Sequence, residues 1–149
     1  MDFIEGLTIS PLQIIPNPKG EILHAMKAGD KMFKGFGEAY FSVANKGEIK
    51  GWKKHLKMTL NLIVPVGNIR FVVFDDREGS KSYGAFHSII IGKKNYQRVT
   101  VPPNVWMAFQ GIGDELNLLL NIANIEHDPE EAVSIKVDEI KYAWDDITT

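Results

Sequence analysis

An all-β fold, a sandwich or a barrel, is what the sequence predicts. Across residues 41–101, short apolar runs rich in β-branched residues alternate with turn-forming residues. Gly67, Gly79, Gly84, Gly92, the Pro102–Pro103 pair, Gly111 and Gly113 all fall between apolar runs. Helical periodicity is scarce: only "DPEEAVSI" offers a turn of helix, with Asp128 as N-cap and Pro129 at the first helical position. Many short strands with regular punctuation are the pattern of sandwiches and barrels.

In chain order, the first 20 residues hold three of the seven prolines and predict an extended lead-in strand and a turn. "SVANKGEIKGW" predicts two strands joined at Lys46-Gly47. "GWKKHLKMT", residues 51–59, predicts a strand continuing to Asn61 and Leu62. "TLNLIVPVGNIRFVVFDD" predicts a hairpin about Gly67-Asn68, a dipeptide that tolerates positive φ. Pro65 cannot donate to a ladder, so its strand should lie at an edge or bulge there. "FHSIIIG" and "RVTVP" predict two further strands, and "VPPNVWMAFQG" an apolar segment behind a rigid double proline.

The chain has 149 residues and predicts one domain over 1–149. A chain of that size buries roughly two thirds of its unfolded surface and needs no staples. Its composition, 44% hydrophobic and 24% charged, is ordinary for a soluble protein. A net charge of −2 gives no reason to expect a nucleic-acid partner, although residues 46–57 are locally basic. With no cysteine, disulfides, thiolate zinc sites and cysteine nucleophiles are excluded. "MDFIEGLTIS" lacks the pattern of a secretory leader, and no apolar stretch approaches the ~20 residues of a membrane span. The expectation is a soluble cytoplasmic protein without a membrane partner.

His24, His55, His87 and His127 are widely separated and show no short ligand spacing, so no metal site is expected. No serine sits in a G-x-S-x-G setting, and neither a P-loop nor a G-x-G-x-x-G is present. The strand at residues 51–61 is more informative. Alternation puts Lys53, His55, Lys57, Thr59 and Asn61 on one face and Trp52, Leu56, Met58, Leu60 and Leu62 on the other. The polar file either meets water or lines the mouth of a barrel. In "FDDREGSKSYG", Arg77 is either part of a solvated loop or a fork for phosphate or carboxylate. Trp106 and Phe109 read as core or as a stacking platform.

The series K-G-W-x-x-H, G-N-I-x-x-V-x-x-D-D-R, S-x-x-Y-G, V-x-V-P-P-x-V, H-D-P-E-E and W-D-D, from about residue 17 to 146, resembles the nucleotide-sugar 3,5-epimerases of the dTDP-4-dehydrorhamnose epimerase type. It is most similar to their short relatives with a W-H-x-H stretch. The resemblance implies a cupin-type double-stranded β-helix (a jelly roll), a homodimer, no metal and no cofactor, with a nucleotide-linked sugar in the barrel mouth. It also implies a base that removes the proton beside a C4 ketone and an acid that returns one from the opposite face, through an enolate. The catalytic residues it points to are His55, Lys53 and Lys57; the substrate-binding residues are Lys19, Arg77, Asn121 and Trp106. The chain departs from the pattern at both proton-transfer positions. Lys53 occupies the position of the family's base, with His55 matching the second histidine of the W-H-x-H stretch. Asn121 occupies the position of the acidic tyrosine. Met107 replaces a histidine, Lys19 replaces an arginine, and the chain stops where longer relatives continue. Three functions stay open: a 3- and/or 5-epimerase, a 3,4-ketoisomerase, and a barrel that binds a sugar nucleotide without turning it over. A metal-dependent oxygenase lacks its histidines.

Overall fold

The computed structural model describes residues 3–144. Its strands are β1 (Thr8–Pro11), β2 (Ile14–Ile15), β3 (Ile22–Leu23), β4 (Glu38–Val43), β5 (Ile49–His55), β6 (Leu60–Val66), β7 (Asn68–Phe74), β8 (Phe86–Gly92), β9 (Gln97–Val101), β10 (Trp106–Gly111), β11 (Leu118–Ala123) and β12 (Ala132–Ser134). Helix among the described residues is limited to two 3-10 turns. One of them, Pro129–Glu131, starts as expected, with the Asp128 side chain accepting from the Glu130 amide.

Two five-stranded sheets form the sandwich, in the orders β1-β9-β6-β11-β4 and β12-β5-β10-β7-β8, and β2 with β3 makes a small hairpin. This is the jelly roll. All the pairings within the sheets are antiparallel. Between the sheets lies an apolar core that includes Leu62, Val64, Phe71, Val73, Val99 and Leu119.

Two expected hairpins turn out to be corners. β6 and β7 flank Gly67 but belong to opposite sheets, and so do β4 and β5 around Lys46-Gly47. A Cβ on Gly67 would lie 2.3 Å from the Leu116 carbonyl oxygen, so the chain can turn tightly there only with glycine. Pro65 sits in a central strand, where an edge was one of two expectations. The other holds: the β6–β11 register shifts between Leu118, opposite Val66, and Leu120, opposite Ile63. β9 pairs only with Leu60, Asn61 and Leu62, so the missing N–H of Pro65 costs no ladder bond on that side.

The central strands are buried on both faces because both sheets are covered outside. Segment 24–32 lies over the first sheet: Tyr96 Oη donates to the His24 carbonyl (2.7 Å), Arg98 Nη1 to the Ala25 carbonyl (2.9 Å), and Asn61 Nδ2 to the Met32 carbonyl (3.3 Å). Residues 135–144 cover the second sheet and close a cluster of Trp52, Val72, Trp106, Ala108 and Trp144. Trp52 is fully buried there, its indole N–H donating to the Val137 carbonyl at 3.1 Å.

Candidate active site

The site grows from an irregularity in β5. Opposite Met107 and Phe109, two residues apart on β10, stand Lys53 and Lys50, three apart on β5. The extra residue is a β-bulge at Gly51-Trp52 and reverses the alternation. Lys50 therefore joins Lys53 and His55 on the inner face, while Trp52 and Lys54 point outward. Gly51 permits this, because a Cβ there would meet the Ala108 Cβ at 2.3 Å.

β5 ends at His55, and residues 56–59 turn before β6 begins in the other sheet. This corrects the expectation of one continuous polar file. Lys57 falls in the turn, exposed, with its backbone amide donating to Glu131 Oε2 at 3.1 Å. Asn61 packs beneath segment 24–32, while Leu60 and Leu62, assigned to the opposite face from His55, share its cavity.

That cavity, about 250 Å³, lies between the two sheets. One wall carries Lys50, Lys53 and His55 from β5, Met107 and Phe109 from β10, and Ser134 from β12. The facing wall carries Tyr40 and Ser42 from β4, Leu60 and Leu62 from β6, and Leu119 and Asn121 from β11. Lys50 Nζ crosses the gap to donate to Ser42 Oγ at 3.0 Å. Among the described residues no carboxylate pairs with Lys50 or Lys53, so this wall presents uncompensated positive charge to a ligand.

His55 is held by Glu131, whose Oε1 lies 2.5 Å from Nδ1. Oε2 accepts the backbone amides of Lys57 and Met58 at 3.1 and 3.2 Å. Burial alone would raise this carboxyl; the bonds from His55, Lys57 and Met58 outweigh it and hold Glu131 below the usual glutamate value. With Nδ1 tied to a fixed carboxylate, Nε2 is the nitrogen left for proton transfer. Asn121, 1% exposed, accepts from the Asn61 amide through Oδ1 (3.2 Å) and donates through Nδ2 to the Tyr40 hydroxyl (3.1 Å). Among the described residues no three His, Asp or Glu side chains converge as metal ligands would.

Of the seven site residues expected from sequence, Lys53, His55 and Asn121 meet in this cavity. The other four lie outside it. Besides Lys57, Arg77 is spent on structure: Nε and Nη2 clasp the two oxygens of buried Asp75 at 2.8 and 2.9 Å, and Nη2 also donates to the Glu5 carbonyl at 2.6 Å. Its fork finds a carboxylate, as expected of that side chain, but an internal one. Trp106 lies on the outer face, its indole N–H bonded to Asp76 Oδ2 (2.8 Å) and its ring under Lys54 Nζ at 4.6 Å. Lys19 occupies the exposed turn between β2 and β3, outside the cavity. The residues not anticipated are Tyr40, Lys50, Ser42 and Glu131. Alternation in "EAYFSV" pairs Tyr40 with Ser42, but nothing local says which face is inner.

A sequence model of the dTDP-4-dehydrorhamnose 3,5-epimerase family matches residues 4–149. The chain belongs to that family. A dTDP sugar isomerase solved from Desulfovibrio desulfuricans G20 is 35% identical and superposes with a TM-score of 0.91, covering 95% of this chain and 92% of that one. The probable low-salt glycan biosynthesis epimerase Agl13 of Haloferax volcanii is 28% identical over 133 residues, 88% of this chain and 85% of the relative. The spore coat polysaccharide biosynthesis protein SpsL of Bacillus subtilis is 23% identical over 145 residues, 97% of this chain and 93% of the relative. This family member is thus an enzyme of the nucleotide-sugar epimerase type, as the order of its motifs implied.

Proposed function

We propose that the chain is a cytoplasmic epimerase that inverts the carbon at C3, C5 or both of a nucleotide-linked 4-keto-6-deoxy sugar. The observation that carries this reading is the convergence of Lys53 and His55 on one interior cavity in a chain of this family. Proton removal beside a ketone needs a base near neutrality and a cation for the enolate oxygen. His55, oriented by Glu131, is the base; Lys53 and Lys50 steady the enolate and the substrate's negative charge. The cavity is small beside the ~300–1,000 Å³ of typical ligand sites. It takes the sugar ring and leaves the nucleotide at its mouth.

The test is solvent exchange. In heavy water the wild-type protein gives the sugar deuterium at C3, C5 or both. Positioned acid–base groups contribute ~10²–10⁴-fold each, so His55→Ala and Lys53→Met suppress exchange by that order without unfolding. Tight binding of the sugar nucleotide with no exchange above buffer overturns this reading. That result would establish the alternative, a binding barrel, which draws on Asn121 standing at the family's acid position.

We further propose that the enzyme works as a homodimer. β4 is the edge of its sheet, and it exposes Phe41 (66%) and Val43 beside the partly buried Leu118, Leu120 and Ile122. An apolar edge strand of this kind is a surface that proteins cover.

A further inference from the structure

We propose that Tyr40 is the acid that returns the proton, a role that rests on the epimerase reading above. Inversion needs two groups: a proton taken from one face of a carbon and restored by the same group goes back where it came from. Lys50, Lys53 and His55 all stand on the wall built by β5. The facing wall offers Tyr40, Ser42, Leu60, Leu62, Leu119 and Asn121. Of these only Tyr40 carries a phenol O–H, the one group on this wall that can act as a general acid; an amide or an aliphatic hydroxyl gives up no proton near neutrality.

The neighbours of Tyr40 fit this work. Tyr40 is the cross-strand partner of Asn121 in the β4–β11 ladder. Asn121 Oδ1 must be the oxygen, since it accepts the Asn61 backbone amide, so Nδ2 necessarily points to the Tyr40 hydroxyl. The phenol oxygen accepts that bond, its own O–H stays available to the cavity, and the same N–H stabilises the phenolate left after transfer. Tyr40 is 44% exposed, which lets solvent reprotonate it between turnovers. In the reaction the C–H bond beside the ketone breaks, its proton goes to His55 Nε2 and its electron pair into the enolate. The enolate pair then takes the proton of the Tyr40 O–H on the opposite face, forming the new C–H bond and leaving tyrosinate. Water restores Tyr40 and accepts the proton from His55. Asn121 thereby becomes a positioning residue, and the acid has moved one strand across, onto β4.

The experiment compares wild type with Tyr40→Phe on a nucleotide-linked 4-keto-6-deoxy hexose in heavy water. Deuterium content is followed by mass spectrometry, configuration by NMR and binding by calorimetry. Tyr40→Phe removes one oxygen from a half-exposed ring and leaves the fold and binding unchanged. The expected result is deuterium uptake with retained configuration, and epimer formation lowered by ~10²–10⁴-fold. Epimer formation at the wild-type rate overturns the role of Tyr40. So does loss of exchange together with epimerisation at unchanged binding, because Tyr40 would then act in abstraction. A wild-type protein that neither exchanges nor epimerises overturns the epimerase reading itself, and the role of Tyr40 with it.

Discussion

Two buried carboxylates show how single residues hold this barrel in shape. Asp75, fully buried, takes Arg77 on both oxygens and the hydroxyls of Ser80 and Ser82. Burial alone would raise its carboxyl, but these bonds hold it far below the usual aspartate range. Glu131 is lowered as well, for the reasons given above. The sign follows: a carboxylate whose folded value is depressed stabilises the fold above its unfolded value, ~4, and that contribution fades as pH falls toward the folded value. Stability measured by urea midpoints is therefore expected to decline below about pH 4, with Asp75 the last to be protonated. Asp75→Ala, which leaves Arg77 without its partner, is expected to cost about 3–5 kcal/mol at pH 7 and to flatten that acid decline. A midpoint at pH 7 within error of wild type would show the cluster to be dispensable.

At the scale of elements, β5 decides the chemistry. Without its bulge, Lys50 and Trp52, two residues apart, would share a face; with Lys53 and His55 kept inward, Lys50 would turn out of the cavity toward the tryptophan cluster. Gly51→Ala puts a methyl group 2.7 Å from the Ala108 Cα, an approach that only movement of β5 away from β10 can relieve. Overpacking of this kind costs roughly 1–3 kcal/mol, or a Tm lower by about 2–12 °C at this chain length. Activity should fall further than stability, since Lys53 moves with the strand. Unchanged thermal melting and turnover in Gly51→Ala would mean that the bulge tolerates a side chain. Trp106 and Lys54 illustrate the other face of the same strand pair. Their stacking, with Asp76 joining both, braces β5 and β10 from outside, so a tryptophan expected to touch substrate supports the wall instead.

At the scale of the whole molecule, both outer faces of the sandwich carry covering segments, but the margin at β4 stays open. Phe36 and Phe41 are 65% and 66% exposed, and a cavity beside them is lined by Phe33, Ala39, Leu120 and Ile122. The proposed dimer covers this margin. Phe41→Asp is expected to shift wild-type dimer to monomer in light scattering while leaving the circular dichroism spectrum intact. A monomeric wild type at high concentration would remove the dimer from the account.

The jelly-roll class, the 3-10 turn at Pro129–Glu131, the bulge at Pro65 and the family were all legible in the residues. They depend on local rules: β-branched runs, turn chemistry, the missing proline N–H and the order of short motifs. Lys53, His55 and Asn121, which that same motif order singles out, are brought to one cavity by the fold. Tertiary structure decided the rest. Gly67-Asn68 makes a sheet-switching corner because the two strands it joins find their partners in different sheets, a non-local choice. Alternation carried Lys57 into the site on paper, but the turn after His55 resets the phase, and the bulge at Gly51 brings in Lys50 instead. Arg77 looked free because its partners, Asp75 beside it and Glu5 at the other end of the domain, are gathered only by folding. Tyr40 and Glu131 join the site for the same reason: they stand 15 or more residues from His55 in the chain, and only the closure of the two sheets brings them to one cavity.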